Sequence, residues 1–528
     1  LLQTLRISKP LSIAEYKCVQ HSSTRCLQTI MLFLIFIVFI HQVIANIIIE
    51  TPKGSIVGQN INNAYSVFYG IPYARVDETN RFGQYPDFSI PFIASNASII
   101  CPQVQRVQGG IIQCLTLNIL VPNLKTTDPL PVYVWFFGGG FIMGNASDFD
   151  GRPLAKHDII VVTVNYRLGP YGFLCTDKTR NQGLKDQAAA LRWVKLNIAA
   201  FGGDPNKVTI GGQSYGGGAV DFHLYSKEKL FSKAIIQSGS KFANGIVSKK
   251  DNSAAIKLAY QLGSNVANLN QAMKFLNKAD PIEVMTATKD LRLRFGVCKE
   301  NYDNVENIKD VPILIGYNSK EDFGGFATKD DDFYKTLADP FYNSLSQTFN
   351  LDNNTLKTLA GTVKSFYLGS KNVSKESMLE LVDFSSDFKL NYAVERSVTN
   401  YLSLNNSKVF KYLFSYIGKS PYKDIEGVGA YHTEELQFLF ERGSNTFNAE
   451  QLVLMDRMTT MWTNFIKYGN PNILQAGILR DRWLPVNLEQ RPYYNLDINI
   501  FLEKHVNHHR ISFWELLWNS YGRKTWSD

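Results

Sequence analysis

Six short runs along the chain are largely apolar on both faces: 132–137, 159–164, 208–210, 234–236, 313–315 and 409–414. Runs this short, apolar on both faces, predict buried strands of a mostly parallel sheet. Between some of them the pattern changes. Leu184, Ala188, Leu191, Val194 and Ile198 are spaced by four, three, three and four residues, which places them on one face of a helix. Strands alternating with helices predict an α/β fold, a large central sheet flanked by helices, with its chemistry at the carboxyl ends of the strands. No repeat, low-complexity tract or long Pro/Ser linker interrupts residues 46–528, so a single catalytic domain is expected there.

A further apolar run, residues 31–40, differs in kind. It opens at the first methionine, Met31, and is followed by Val43 and Ala45, small residues spaced as at a signal-peptidase site. It is short for a membrane span, so 31–45 is read as a secretory signal and 1–30 as translation upstream of the true start, with an N-terminal membrane anchor as the competing reading. The expected location is extracellular, with no integral span once the signal is removed.

Secretion changes how other residues are read. Asn-x-Ser/Thr sequons make Asn96, Asn145, Asn353, Asn372 and Asn405 candidates for glycosylation. Four cysteines follow the leader. Cys101 and Cys114 are close in sequence and flank a loop-like stretch, so a disulfide is expected between them. Four buried thiols are the alternative, and the pairing of Cys175 and Cys298 stays open. Part of the net charge of +8 sits in the first 45 residues, and no basic stripe carries interleaved aromatics, which argues against nucleic acid as a partner.

Two glycine-rich segments carry the candidate chemistry. After the apolar run at 208–210 comes Gly212-Gln213-Ser214-Tyr215-Gly216. In a G-x-S-x-G turn from strand to helix, the glycines leave room for a strained serine whose hydroxyl projects from the sheet. A glycine-rich turn with an incidental serine is the competing reading. A phosphate loop is not, because the Gly-Lys-Ser/Thr ending is missing. Upstream, the run at 132–137 leads into Gly138-Gly139-Gly140-Phe141, whose amides can approach an oxyanion closely. A flexible turn is the alternative there.

With these motifs the sequence resembles the carboxylesterase/cholinesterase family, the type-B carboxylesterases of α/β-hydrolase fold, with an insect-esterase flavour. Matching stretches include Gly70-Ile71-Pro72-Tyr73-Ala74, Cys101-Pro102-Gln103, Cys114-Leu115, 137–141, Tyr166-Arg167-Leu168-Gly169, Asp186-Gln187, 201–205, the elbow, Gln237-Ser238-Gly239-Ser240 and Trp462-Thr463-Asn464-Phe465. The resemblance implies an oxyanion hole from the amides of Gly139, Gly140 and Tyr215. It also implies a carboxylate at Glu321, in Gly316-Tyr317-Asn318-Ser319-Lys320-Glu321, and a histidine at His432, in 429–438.

The chain order Ser214, Glu321, His432 is the order this fold uses. Serine needs an adjacent base near neutral pH, imidazole suits that role, and a carboxylate fixes its tautomer. Asp322 is the rival to Glu321; the family usually has glycine there. His505, His508 and His509 are read as surface groups rather than a metal site. No metal or organic cofactor is implied.

The expected function is therefore a serine carboxylic-ester hydrolase acting on a small-molecule ester through an acyl-enzyme. A non-catalytic adhesion protein, a lipase and a juvenile-hormone-type esterase are the alternatives. Three departures bear on the substrate. Tyr215 stands where alanine is usual, the stretch 243–321 is shorter than in most relatives, and the loop between Cys101 and Cys114 lacks the tryptophan that cholinesterases use to hold a quaternary ammonium.

Overall fold

The structure, a computed structural model, describes residues 46–522 except 53, 78, 82–91, 104–109, 124–127, 300–307, 407, 419, 442–445 and 473–481. The proposed leader, 1–45, lies outside the described residues.

The described strands are β1 (Asn46–Thr51), β2 (Gly54–Ile61), β3 (Tyr65–Pro72), β4 (Phe92–Ile93), β5 (Thr116–Pro122), β6 (Leu130–Phe136), β7 (Ile160–Val164), β8 (Gly203–Gln213), β9 (Lys233–Gln237), β10 (Val247–Ser248), β11 (Val297–Cys298), β12 (Ile313–Asn318), β13 (Val409–Phe414), β14 (Pro492–Leu496) and β15 (Phe501–Lys504). They form one large sheet in the order β1-β2-β3-β5-β7-β6-β8-β9-β12-β13-β14-β15, with β4 beside β2 and a separate β10-β11 pair. The central strands, β7 through β14, run parallel to their neighbours. Antiparallel strands flank both ends.

All six apolar runs are strands of this parallel core. β7, β9, β12 and β13 are buried along their whole length, which is why they lack the alternation of a half-exposed strand. β8 begins five residues before its apolar run; its first turn of sequence, Asp204 to Lys207, stays near solvent at the sheet edge opposite the active end. The expected helix is α1 (Gln182–Asn197), which buries Leu184, Leu191 and Val194. The helices that matter below are α2 (Tyr215–Leu224), α3 (Asn353–Leu368), α4 (Met378–Ser386), α5 (Tyr392–Ser403), α6 (Ala449–Tyr468) and α7 (His508–Tyr521).

Apolar side chains from both faces of the sheet form the main core, and a second cluster joins α3, α4 and α7. Two buried ion pairs tie elements into the main core. Arg167, just after β7, donates to both carboxylate oxygens of Asp186 on α1, at 2.7 and 2.6 Å. Lys411 on β13 donates to Glu395 on α5 at 2.9 Å. Removing one partner of such a pair strands a buried charge, at a cost of about 3–5 kcal/mol.

Cys101 and Cys114 are bridged, with Cα atoms 5.0 Å apart. The second bridge, left open by the sequence, joins Cys175 to Cys298 and so fixes β11 to the segment that precedes α1. Asn96, Asn353, Asn372 and Asn405 are exposed. Asn145 differs: it is buried, and its side-chain oxygen accepts from the Ser147 amide at 3.1 Å. No helix among the described residues is long and apolar enough to cross a membrane.

Candidate active site

β8 ends at Gln213 and α2 begins at Tyr215, so Ser214 is the whole turn between them. Its φ is 57° and its ψ −131°, a region an L side chain rarely occupies. A residue held there costs on the order of 1–3 kcal/mol, and the surroundings must enforce it. They do so by close approach. A Cβ on Gly216 would lie 2.2 Å from the Phe136 carbonyl oxygen, so only glycine lets α2 start against β6. The Ser214 amide donates to the Gln237 carbonyl at 2.9 Å, and the Ser214 carbonyl accepts from the Gly218 amide at 2.9 Å.

The glycine run after β6 lies directly against this elbow. A Cβ on Gly138 would stand 2.7 Å from the Ser214 Cβ. The amides of Gly139, Gly140 and Tyr215 have no hydrogen-bond partner among the described residues. The run is not loose. Tyr166 donates its hydroxyl to the Phe137 carbonyl at 2.5 Å and stacks on the Phe137 ring. Gln103, two residues from the Cys101 bridge, pairs with both the amide and the carbonyl of Gly144, each at 3.0 Å. Asn165 accepts from the Ala146 amide at 2.9 Å. Gln103 and Tyr166 stood in the matched stretches of sequence, but nothing there gave them a role.

Glu321 follows β12 by three residues and is buried. One carboxylate oxygen accepts from the Asn318 amide at 2.7 Å; the other lies 2.6 Å from His432 Nδ1. The His432 amide donates to the Glu321 carbonyl at 3.0 Å, so the two loops are joined by main chain as well. Behind them runs a buried relay that sequence reasoning missed. Asn318 donates from its side-chain amide to the Tyr431 carbonyl and to Glu435, both at 2.7 Å. Gln237, at the end of β9, donates to the other Glu435 oxygen at 3.1 Å and accepts from the Trp462 indole of α6 at 3.1 Å.

Asp322 does not compete for the histidine. Its carboxylate accepts from Lys389 at 2.7 Å and from the Ser385 hydroxyl, and its amide donates to Ser386 at 3.0 Å. It anchors the turn to the end of α4.

The profile of the carboxylesterase family matches residues 45–514. The chain belongs to the carboxylesterase family. It is a carboxylic-ester hydrolase. It is similar to the bile salt-activated lipase of Mus musculus, 28% identical over 86% of this chain and 83% of that protein. Venom carboxylesterase-6 of Apis mellifera is 28% identical over 93% of this chain and 98% of that protein. Esterase E4 of Myzus persicae is 29% identical over 83% and 88%.

In this carboxylesterase the electrostatics around His432 pull in two directions. Burial disfavours the imidazolium, but the Glu321 charge and hydrogen bond, helped by Glu435, outweigh it and raise the pKa above the ordinary histidine value. Glu435 is itself raised, first by burial and then by the Glu321 charge. With Nδ1 on the carboxylate, Nε2 faces the elbow, where the Gln213 side-chain amide reaches it at 3.1 Å.

The residue before Ser214 therefore touches the imidazole directly. Gln213→Glu would place a carboxylate there and stabilise the imidazolium further. With the neutral imidazole proposed below as the base, the acid limb of the kcat/KM profile should move to higher pH, by about one unit or more. An acid limb that stays in place would show that the contact is absent in the working enzyme.

Proposed function

We propose that Ser214, His432 and Glu321 are the nucleophile, general base and orienting acid of a secreted serine esterase. One observation carries this reading: the 2.6 Å contact that turns Nε2 of His432 toward the elbow bearing Ser214. Nδ1 donates to Glu321, so Nε2 carries the lone pair and accepts the Ser214 proton as the hydroxyl oxygen attacks the ester carbonyl. The Gln213 amide gives way as the serine hydroxyl engages that nitrogen. The carbonyl oxygen becomes an oxyanion and takes hydrogen bonds from the amides of Gly139, Gly140 and Tyr215. Each such donor contributes on the order of 3–4 kcal/mol to the transition state. The imidazolium returns its proton to the leaving alcohol, and water repeats the sequence on the acyl-enzyme.

The raised His432 pKa gives the sign of the pH response. Rate is lost as pH falls through that pKa, because the protonated ring cannot act as base. Two disulfides support an extracellular location, since such bridges persist in oxidising compartments. The adhesion reading finds no support in a site whose three side chains and three amides all remain.

Tyr215 bears on acyl specificity. Its ring packs edge-on against Phe141, 4.9 Å between centroids, and its hydroxyl reaches the Asn244 carbonyl at 3.4 Å. The ring thus closes the space between the elbow and the segment after β9, and small acyl groups are the expected substrates.

Ser214→Ala should fold normally and lose turnover of p-nitrophenyl butyrate by at least about a thousandfold, the range seen when a triad member is removed. A fluorophosphonate probe should label the wild type at Ser214 and spare the variant. Undiminished turnover or labelling at another residue would refute the assignment. Tyr215→Ala should raise kcat/KM for longer acyl chains relative to acetate; an unchanged acyl-chain profile would place the ring outside the pocket.

A further inference from the structure

Asn244-Gly245 is the only Asn-Gly pair in the sequence; a residue with a side chain follows every other asparagine. The pair lies between β9 and β10, where the Ile246 amide donates to the Ala243 carbonyl at 3.2 Å and closes a turn over the two residues. The turn calls for the glycine. Gly245 has a φ of 79°, in the left-handed region where a Cβ is strained. Both residues are exposed.

This arrangement leaves a reactive amide open. The Asn244 side chain has no hydrogen-bond partner among the described residues, and neither has the Gly245 backbone amide. An amide bonded into a helix or sheet keeps its proton and its direction; this one is held in neither. No Cβ shields its nitrogen. At the other end of the same peptide unit, the Asn244 carbonyl accepts from the Tyr215 hydroxyl at 3.4 Å. The unit is conjugated, so a donor at its oxygen draws density from its nitrogen and eases loss of the proton. A Cβ on Gly245 would stand 3.1 Å from that hydroxyl, so the tyrosine lies against the reacting peptide.

We propose that Asn244 is a site of spontaneous deamidation and that the change releases Tyr215 from its fixed acceptor. The step needs only water. The deprotonated Gly245 nitrogen attacks the side-chain carbonyl carbon of Asn244, and the new C–N bond closes a cyclic succinimide. The old C–N bond of the side-chain amide breaks, its electron pair stays on the leaving nitrogen, and that nitrogen takes up a proton and departs as ammonia. Water then opens the ring at either carbonyl. One opening gives aspartate. The other gives isoaspartate, in which the main chain runs through the side-chain carbons and the carbonyl that accepted from Tyr215 becomes a carboxylate off the chain. The modification depends on the turn alone; its effect on substrate choice rests on the proposed acyl pocket beside Ser214.

The test incubates the full protein at mildly alkaline pH and samples it over time. Trypsin, cutting after Lys241 and Lys249, releases residues 242–249 for mass spectrometry. Conversion of amide to acid at 244, with isoaspartate the larger product, should run at least about tenfold faster than at any other asparagine, a barrier lower by about 1.36 kcal/mol. In the same samples, kcat/KM for p-nitrophenyl octanoate relative to p-nitrophenyl acetate should rise with the modified fraction. Asn244→Gln, whose longer side chain closes a ring far more slowly, should begin with wild-type activity on the acetate ester and keep its ratio throughout. An Asn244 no faster than the other asparagines, or the same drift in Asn244→Gln, would overturn the proposal. Modification with no change of ratio overturns the coupling to Tyr215 where Tyr215→Ala shifts the acyl profile, and overturns the acyl-pocket reading where Tyr215→Ala does not.

Discussion

The site depends on one contact, the hydrogen bond between His432 and Glu321, and much of the carboxyl edge of the sheet serves to make it. The two residues are more than a hundred positions apart and sit on loops, which are the least rigid parts of an α/β protein. The pairing is held by two kinds of support. Main-chain bonds join the loops where the His432 amide meets the Glu321 carbonyl and the Lys320 amide meets that of Ala430. Behind them, Asn318, Glu435, Gln237 and Trp462 carry the alignment back to β12, β9 and α6. Buried carboxylates are costly unless paired, so each member of this relay holds its neighbour to one geometry.

The elbow is the second expenditure of stability. Ser214 occupies an unfavourable backbone region, and the cost is met by packing that leaves no room for relaxation: β6 against α2 through Gly216, and the glycine run against the Ser214 Cβ. That same contact brings the glycine run, whose Gly139 and Gly140 amides have no partner among the described residues, against the elbow that bears Tyr215. The polar clamps at Tyr166, Gln103 and Asn165 keep the loop from collapsing onto its own donors. Strain and preorganisation are thus two descriptions of one packing arrangement.

Much of this was legible in the chain. The strands of the parallel core announce themselves because burial on both faces removes the polar half of the alternation. Ser214 was singled out by its elbow motif, Glu321 and His432 by the family resemblance, and the fold brings Glu321 to His432 while Asp322 lies elsewhere. Other features were not legible. Asp322 finds Lys389 and Ser385, and the Cys175–Cys298 bridge spans a large loop; both depend on tertiary proximity that spacing does not encode. The sequon at Asn145 fits the local pattern, yet its asparagine is consumed by a turn beneath the surface. Gln213 reads as an elbow residue, and only the fold brings it to the imidazole.

The most direct test of the account is an experimental structure of the protein after reaction with a fluorophosphonate. The account predicts phosphorus bonded to the Ser214 oxygen, with the phosphoryl oxygen about 3 Å from the amides of Gly139, Gly140 and Tyr215. His432 should stay on Glu321, with the Gln213 amide moved off Nε2. An adduct on another residue, or a phosphoryl oxygen directed away from those amides with His432 parted from Glu321, would contradict it.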